Sequence, residues 1–211
     1  MKIAIIGQGG HSKVIQDIIL SNNEYEIIGY LDDRYENIVT VDNLYFGPIS
    51  TAHDMINYFH QIKFVIAIGN NKVRRGIVKK LRLLDEFYIT LIHKTAVVSP
   101  SAKIGNGTVV MPNVVINADT QIGNHAIINT ASVVEHDNII GDFVHISPRA
   151  TLTGSVLIEE GVHIGAAATM IPSVKVRKWS IIGAGAVVIN DMPSNCIAVG
   201  IPAKVINEVS Y

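Results

Sequence analysis

The segment Glu135-His136-Asp137 holds the residue types in this chain that are best suited to proton transfer. A carboxylate beside a histidine can fix the tautomer of the imidazole and raise its basicity, and general-base catalysis requires both. The alternative, which the residues alone leave open, is a histidine that only faces solvent at a turn. His136 is therefore a candidate general base.

Two other histidines, His145 and His163, are eighteen residues apart, so a repeat of that length stacks them on one face. Zinc needs at least three convergent protein ligands. His136 is nine residues from His145 and falls on another face of the same chain. Although a trimer could bring these histidines together, the spacing does not demand it, and we expect no metal site. Cys196 has no visible partner and is interpreted as an inert packed thiol.

A glycine-rich loop, Gly7-Gln8-Gly9-Gly10-His11, follows the apolar strand predicted over Lys2–Ile6 and precedes a predicted helix. Free backbone N–H groups converge at the start of such a helix and suit a phosphate. Ser12 stands at the third glycine position of the G-x-G-x-x-G motif, which disfavours a dinucleotide site. A purely structural turn remains the alternative to a nucleotide-sugar site.

Three more strands are predicted in this part of the chain, over Glu26–Leu31, Phe64–Ile68 and Tyr88–Ile92, with helices between them. Alternating strands and helices indicate a parallel sheet that binds ligands at the carboxyl ends of its strands. Those ends carry Asp32-Asp33 and Gly69-Asn70. The acidic pair suits ribose or sugar hydroxyls.

From Ile92 to Val188 every sixth residue is aliphatic or Met, without a slip of register. Four residues after each of these stands a second column of small or β-branched residues, broken only at Asn138. A strict period of six fits neither a helix nor an alternating strand, but is typical of hexapeptide-repeat parallel β-helices. Three hexads complete one coil of about eighteen residues. We expect unusual backbone angles directly after the aliphatic residue, at the positions Gly105, Asn117, Gly123, Asn129, Gly141, Gly165 and Gly183.

These patterns divide the chain into three parts. Residues 1–91 are predicted to form a Rossmann-like α/β domain, and residues 92–190 a β-helix. Since an open β-helix end exposes unpaired strand edges, residues 191–211 are predicted to cap it.

Composition narrows the function classes. The net charge is −1, only 17% of residues are charged, and no basic run is present, which argues against nucleic-acid binding and membrane-surface binding. No stretch of eighteen apolar residues occurs, so no membrane insertion is expected. Because Met1 leads directly into a strand, we expect a cytoplasmic protein. One cysteine excludes an intrachain disulfide framework.

Several motifs together resemble the NeuD/PglD-type sugar O/N-acetyltransferases, a family of hexapeptide-repeat acyltransferases. They cover essentially the whole chain and are IIGQGGHSKV, Asp32-Asp33, AIGNNKVRR, LIHKTAVVSPSAKIG, NTASVVEHDNIIGDFVHISP and VGIPAKVI. The resemblance implies a left-handed β-helix, a homotrimer, and acetyl-CoA bound as co-substrate in the groove between adjacent coils.

The resemblance also implies roles for particular residues. His136 matches the general base, and Asp137 matches its supporting acid. Positions expected at acetyl-CoA are His145, Gly154, Ala166 and Ala184. Positions expected at the nucleotide-sugar are Gly9, Gly10, His11, Asp32, Asp33 and Gly69.

The function expected from these roles is acetyl-CoA-dependent N-acetylation of a nucleotide-linked 4-amino-dideoxy sugar, in bacterial surface polysaccharide or glycan biosynthesis. One alternative is O-acetylation of a sialic acid-type sugar hydroxyl. Another is a non-catalytic, trimeric nucleotide-binding module, and a third is metal-dependent hydration or lyase chemistry. The residues do not decide which sugar or nucleotide is used.

Overall fold

The computed structural model describes residues 1–209 and contains two compact units, Met1–Leu91 and a second that begins at Ile92. The first unit contains β1 (Lys2–Ile6), α1 (Gly10–Leu20), β2 (Glu26–Leu31), β3 (Val39–Val41), β4 (Leu44–Gly47), α2 (Ala52–Tyr58), β5 (Ile62–Ile66) and α3 (Asn71–Leu81), with 3-10 turns at Ile49–Thr51 and Asp85–Phe87. Among the described residues no helix is long and apolar enough to cross a membrane.

The sheet of the first unit has the order β3-β4-β2-β1-β5, with only β3 antiparallel to its neighbour. This confirms the predicted Rossmann-like arrangement. Buried side chains from α2 and α3, including Met55, Ile77 and Leu81, pack with the sheet residues Ile6 and Phe64. The third predicted strand was placed two residues too late. Strand β5 pairs with β1 from Lys2↔Ile62 to Ile6↔Ile66, so the extent of β1 sets its limits.

A hairpin formed by β3 and β4 was not predicted. Its two turn residues, Asp42 and Asn43, have φ values of 50° and 64°. Asp and Asn tolerate this left-handed region, and two such residues form the type I′ turn that suits the twist of a hairpin. The Asp-Asn pair between β-branched and aromatic residues was the signal that could have revealed it.

The second unit is a left-handed parallel β-helix, as predicted. Its strands are β6 (Leu91–Ile92), β7 (Val97–Val98), β8 (Lys103–Ile104), β9 (Val109–Val110), β10 (Val115–Ile116), β11 (Gln121–Ile122), β12 (Ile127–Ile128), β13 (Val133–Val134), β14 (Ile139–Ile140), β15 (His145–Ile146), β16 (Thr151–Leu152), β17 (Leu157–Ile158), β18 (His163–Ile164), β19 (Thr169–Met170), β20 (Lys175–Val176), β21 (Ile181–Ile182), β22 (Val187–Val188), β23 (Cys196–Val199) and β24 (Lys204–Glu208).

These strands form the three faces of a prism. The first face contains β7, β10, β13, β16, β19 and β22, the second contains β8, β11, β14, β17 and β20, and the third contains the remainder. From β6 to β22, each strand residue pairs with one eighteen positions away, as Val133 does with Val115 and Thr151. The periodic residue comes second in its strand and points inward, so that Val134 and Leu152 are fully buried. Ile92, in the first coil, is instead exposed.

The prediction about corner angles was wrong. Positive φ occurs three residues after the periodic position, for example at Asp137 (59°) and Ser155 (60°), and not directly after it. Glycine directly after a strand meets a different requirement, which is close approach between coils. A Cβ on Gly105 would lie 2.6 Å from the carbonyl carbon of Gly123 in the next coil.

The carboxyl-terminal strands extend the third face. Strand β23 pairs parallel to β21 and antiparallel to β24. All five residues of β24 are exposed, so this strand forms a new edge of the sheet. Residues 210 and 211 of the predicted cap lie outside the described residues.

Candidate functional site

His136 lies at the turn that joins β13 on the first face to β14 on the second face. Periodic packing of Val134 and Ile140 inside the prism fixes both strands, so the turn between them must face outward. The side chains of His136 and Asp137 are 59% and 57% exposed. The fold therefore presents this pair at an outer edge of the coil.

The two side chains form one hydrogen-bonded pair. Nδ1 of His136 lies 2.7 Å from Oδ2 of Asp137. Asp137 adopts a left-handed φ of 59°, which aspartate accepts more readily than most residues. The hydrogen bond to Asp137 raises the pKa of His136; desolvation opposes this rise, and the negative charges of Asp137 and Glu135 add to it. With Nδ1–H donated to Asp137, the neutral imidazole offers Nε2 as a base.

Gly154 lies directly beneath the His136 ring in the next coil. A Cβ at position 154 would be 2.7 Å from Cε1 and 2.8 Å from Nε2 of His136. No side chain fits there without displacing the ring. Because position 154 has no side chain, the His136 ring can occupy the space above it, and this places Nε2.

His145 lies on the third face, on β15, away from the edge that carries His136. Its ring stacks on that of His163 with a centroid distance of 4.8 Å, as the eighteen-residue spacing predicts. Nδ2 of Asn129 lies 3.1 Å from Nε2 of His145, an arrangement in which Nε2 accepts and Nδ1 keeps the proton. Within residues 1–209 no group of three potential metal-ligating side chains occurs.

Ala166 and Ala184 occupy equivalent turns, one coil apart, where the third face meets the first. Both residues are exposed. The structure thus pairs Ala166 with Ala184 on one edge and His136 with Gly154 on another. These two edges border the first face on its opposite sides. The side chains of Ala166 and Ala184 are only methyl groups, so a ligand at that edge could lie close to the backbone.

The glycine loop of the first unit lies between β1 and α1. Gly9 is the residue before the first turn of α1 and has no side-chain cap. A Cβ on Gly9 or Gly10 would meet no atom within 4 Å, so both positions face open space. A helix start with open space in front of it can receive an anion.

His11 is largely buried behind this loop. Burial, together with the nearby Arg74 charge, lowers its pKa to about 4. His11 is therefore neutral at physiological pH. Its Nε2 is buried without a hydrogen-bond partner. A buried polar atom of this kind can contribute a hydrogen bond to a ligand.

The carboxylate of Asp32 hydrogen-bonds to the glycine loop and holds it in place. Its Oδ2 accepts from the backbone N–H of Gln8 at 2.8 Å, and its Oδ1 is 3.2 Å from Nε of Arg34. Burial alone would raise its pKa, but the hydrogen bonds from Gln8 and Arg34 lower the net pKa. The guanidinium of Arg34 also donates to the Gln8 carbonyl at 3.1 Å.

Asp33 points to a different set of partners. Its Oδ1 accepts from the backbone N–H of Ile49 at 3.0 Å, and its Oδ2 bonds to Nζ of Lys80 at 2.9 Å. The hydrogen bond from Lys80 lowers the pKa of Asp33. The two adjacent carboxylates are thus not side by side around one ligand position.

Gly69 follows β5, and a Cβ there would also face open space. The carbonyls of Ile68 and Gly69 accept from Nη1 of Arg74, which is only 1% exposed. Asn70 caps α3 by accepting from the N–H groups of Lys72 and Val73.

Sequence reasoning missed Arg74, which holds the loop after β5. It occupies the buried stripe of α3 between Asn71 and Ile77, and a charged residue on that stripe was the available signal.

Comparisons with known proteins agree with this architecture. Two sequence-family models match, the PglD N-terminal domain over residues 2–81 and the bacterial transferase hexapeptide (six repeats) over residues 101–136. Over 109 residues the chain is 44% identical to the UDP-N-acetylbacillosamine N-acetyltransferase of Bacillus subtilis, a match that covers 52% of this chain and 50% of that protein. The chain therefore spans about half the length of this curated relative.

Two solved structures match along nearly the whole chain. PerB from Caulobacter crescentus, in complex with CoA and GDP-perosamine, is 34% identical, with a TM-score of 0.88 and 98% of each chain covered. The acetyltransferase domain of PglB from Neisseria gonorrhoeae, in complex with acetyl coenzyme A, is 38% identical, with a TM-score of 0.84 and coverage of 97% of this chain and 98% of that one.

Proposed function

Because this chain belongs to the NeuD/PglD-type family of hexapeptide-repeat sugar acetyltransferases, we propose that it N-acetylates a nucleotide-linked 4-amino-dideoxy sugar from acetyl-CoA. The observation that carries the proposal is the exposed His136–Asp137 pair, with its Nδ1···Oδ2 distance of 2.7 Å. PerB, which matches over 98% of the chain, binds CoA and GDP-perosamine together, and this supports a nucleotide-linked amino sugar as acceptor.

In the proposed reaction, the neutral amine of the sugar attacks the thioester carbonyl, and Nε2 of His136 accepts a proton from the attacking nitrogen. The Asp137 carboxylate stabilises the resulting imidazolium and keeps the imidazole in the tautomer that exposes Nε2. A backbone N–H stabilises the oxyanion of the tetrahedral intermediate. When this intermediate collapses, the C–S bond breaks and the imidazolium returns the proton to the CoA thiolate.

No acyl-enzyme is part of this proposal. Two bound substrates held in position remove much of the entropic barrier to direct transfer. The buried Cys196, the one cysteine of the chain, is not available as a nucleophile at the edge that carries His136.

Nucleotide recognition is assigned to the first unit. The open space in front of Gly9 and Gly10, at the start of α1, accepts a phosphate, while the neutral His11 offers its unpartnered Nε2 to a polar group of the ligand. Asp32 supports this site by fixing the Gln8 amide and Arg34, and we assign Asp33 a similar supporting part through Lys80.

Acetyl-CoA is assigned to the surface beside the first face, with His145, Gly154, Ala166 and Ala184 as its contacts.

A homotrimer is proposed because the outward residues of the first face suit an interface. They are Val97, Val115, Val133, Thr151, Thr169 and Val187. The second face carries Lys103, Gln121, Ile139, Leu157 and Lys175 at the equivalent positions, and lysine is depleted at interfaces.

The proposal is tested by measuring release of CoA thiol from acetyl-CoA with a nucleotide-linked 4-amino sugar and, separately, with free sialic acid. We expect turnover with the amino sugar alone. Turnover with sialic acid alone would replace the N-acetyl assignment with O-acetylation. No turnover with either compound would refute the proposed acceptor class.

A further inference from the structure

Asn138 is the one residue that interrupts the column of small and β-branched side chains, and it is completely buried. Its side chain spans two coils. In the next coil, Nδ2 donates to the carbonyl of Thr153 at 2.9 Å and Oδ1 accepts from the N–H of Val156 at 3.1 Å. Those two groups bracket Gly154, on which the His136 ring rests.

Within its own coil the same amide reaches the residues around the histidine. Nδ2 of Asn138 lies 2.6 Å from the carbonyl oxygen of Glu135 and 3.4 Å from that of His136. One side chain therefore connects the backbone that carries the imidazole to the backbone beneath the imidazole.

Thr108, in the same column five hexads earlier and on another edge, shows what this position needs for coil stability alone. Its Oγ1 donates to the carbonyl of Gly123 at 2.8 Å and accepts from the N–H of Ala126 at 3.0 Å. These are the same two cross-coil bonds, at the same sequence offsets, that Asn138 makes. A hydroxyl has one hydrogen, so it donates either across coils, as Thr108 does, or to the carbonyl three residues earlier, as Ser132 does to Asn129 at 2.7 Å. The amide of Asn138 makes both kinds of bond at once.

Glu135 is also held by two residues of the preceding coil. Oγ1 of Thr120 donates to the same Glu135 carbonyl at 2.9 Å. Nδ2 of Asn117 donates to the Glu135 carboxylate at 2.8 Å. Asn138 completes this set of bonds on the side that faces Gly154.

We propose that Asn138 is a positioning residue that fixes the backbone at His136 relative to Gly154 and so fixes where Nε2 of the imidazole lies. It acts through His136 and touches no reacting atom. This inference rests on the proposed function, because it takes the position of Nε2 to matter for proton transfer.

The test replaces Asn138 by threonine, whose one hydroxyl hydrogen can serve the cross-coil bond or the Glu135 carbonyl but not both, so the link between the two is broken. A displacement of about 1 Å can cost about a hundredfold in rate, so we expect kcat to fall roughly ten- to a hundredfold with KM values little changed. The matched control, Thr108→Val, removes the cross-coil pair away from His136. It should lower thermal stability and leave kcat unchanged.

An NMR titration of the His136 imidazole in the same proteins gives a readout independent of turnover. In Asn138→Thr the midpoint should move down toward the ordinary histidine value, because the alignment with Asp137 loosens, whereas Thr108→Val should leave it in place. Wild-type kcat and an unmoved midpoint in Asn138→Thr would overturn the inference. Full activity of His136→Ala would instead refute the proposed base, while the titration would still decide whether Asn138 positions the ring.

Discussion

The carboxylates of the two units are used in opposite ways. In the first unit, Asp32 bonds to the Gln8 amide and Arg34, and Asp33 bonds to the Ile49 amide and Lys80. At the edge of the β-helix, Asp137 bonds to His136, which keeps Nε2 exposed. Asp32 and Asp33 hold backbone and cationic side chains in place, whereas Asp137 orients the His136 imidazole and raises its pKa.

This difference in carboxylate partners indicates that the two units offer different kinds of group to a ligand. In the loop after β1, the groups proposed to meet a ligand are backbone N–H groups at Gly9 and Gly10, and Asp32 supports this loop through the Gln8 amide. At the corner, the flanking backbone at Glu135 and Asp137 pairs with neighbouring coils, and the proposed base is a side chain. Substitutions can test each half of this comparison.

The largest effect is expected for His136→Ala, which removes the proposed base. General-base catalysis contributes on the order of 10²–10⁴ in rate, and kcat should fall by that factor while acetyl-CoA binding persists. Turnover and calorimetric CoA affinity measure the two quantities. His60→Ala, at an exposed position of the first unit, is the control and should match wild type. Equal loss of turnover and CoA binding in His136→Ala would contradict the assigned role.

Asp137→Ala should lower kcat at neutral pH by about ten- to a hundredfold, because the imidazole loses its orientation. It should also shift the pH dependence. Asp137 raises the pKa of His136, so wild-type activity should rise with pH through a midpoint above the ordinary histidine value. Without the carboxylate this midpoint moves to lower pH. A kcat–pH profile with an unmoved midpoint would argue that another group titrates.

Gly154→Ala should displace the His136 ring, since the new Cβ would lie within 3 Å of two ring atoms. We expect about a tenfold loss in kcat and little change in stability, since the exposed ring can swing outward. A crystal structure of the variant would show the ring moved. Gly76→Ala is the control, because a Cβ there meets nothing within 4 Å inside α3 and should stabilise the helix by about 0.5–1 kcal/mol.

The smallest effect on rate is expected in the first unit. Asp32→Asn keeps the shape but weakens charge-assisted hydrogen bonds to the glycine loop, at a cost of about 1 kcal/mol in unfolding free energy. KM for the nucleotide-sugar should rise several-fold with kcat preserved. Because the folded pKa of Asp32 is lowered, this stabilisation exists above its unfolded pKa and disappears as pH falls through the folded value. A kcat loss comparable to that of His136→Ala would undo the contrast between the two units.

Much of the fold could be predicted from sequence because one repeated requirement generates it. The interior of the prism accepts an aliphatic residue at every sixth position, and Val134 and Leu152 are two fully buried examples. The turn angles were misassigned because glycine serves two purposes. At Gly105 it permits close approach of coils, whereas the left-handed angle falls on residues such as Asp137 and Ser155.

The candidate site could be predicted from sequence only where the residue types and their adjacency in the chain indicate a contact. Asp137 is adjacent to His136 in sequence, so their pairing could be anticipated. The partners of Asp32 and Asp33 come from α3, from the segment before α2 and from the loop itself, and no local pattern specifies which way each carboxylate turns. Arg74 was missed for a related reason, since its contacts depend on how the chain turns after β5.

The eighteen-residue distance from His136 to Gly154 has a consequence for how the length of this protein can change. Gain or loss of a whole coil outside that interval returns every later side chain to its original face. Gain or loss of a single hexad in the β-helix turns all later residues by one face, and between these two positions it would remove the glycine from beneath the ring. Homologues with longer or shorter β-helices should therefore differ by multiples of eighteen residues, with the interval between the histidine and its glycine held constant.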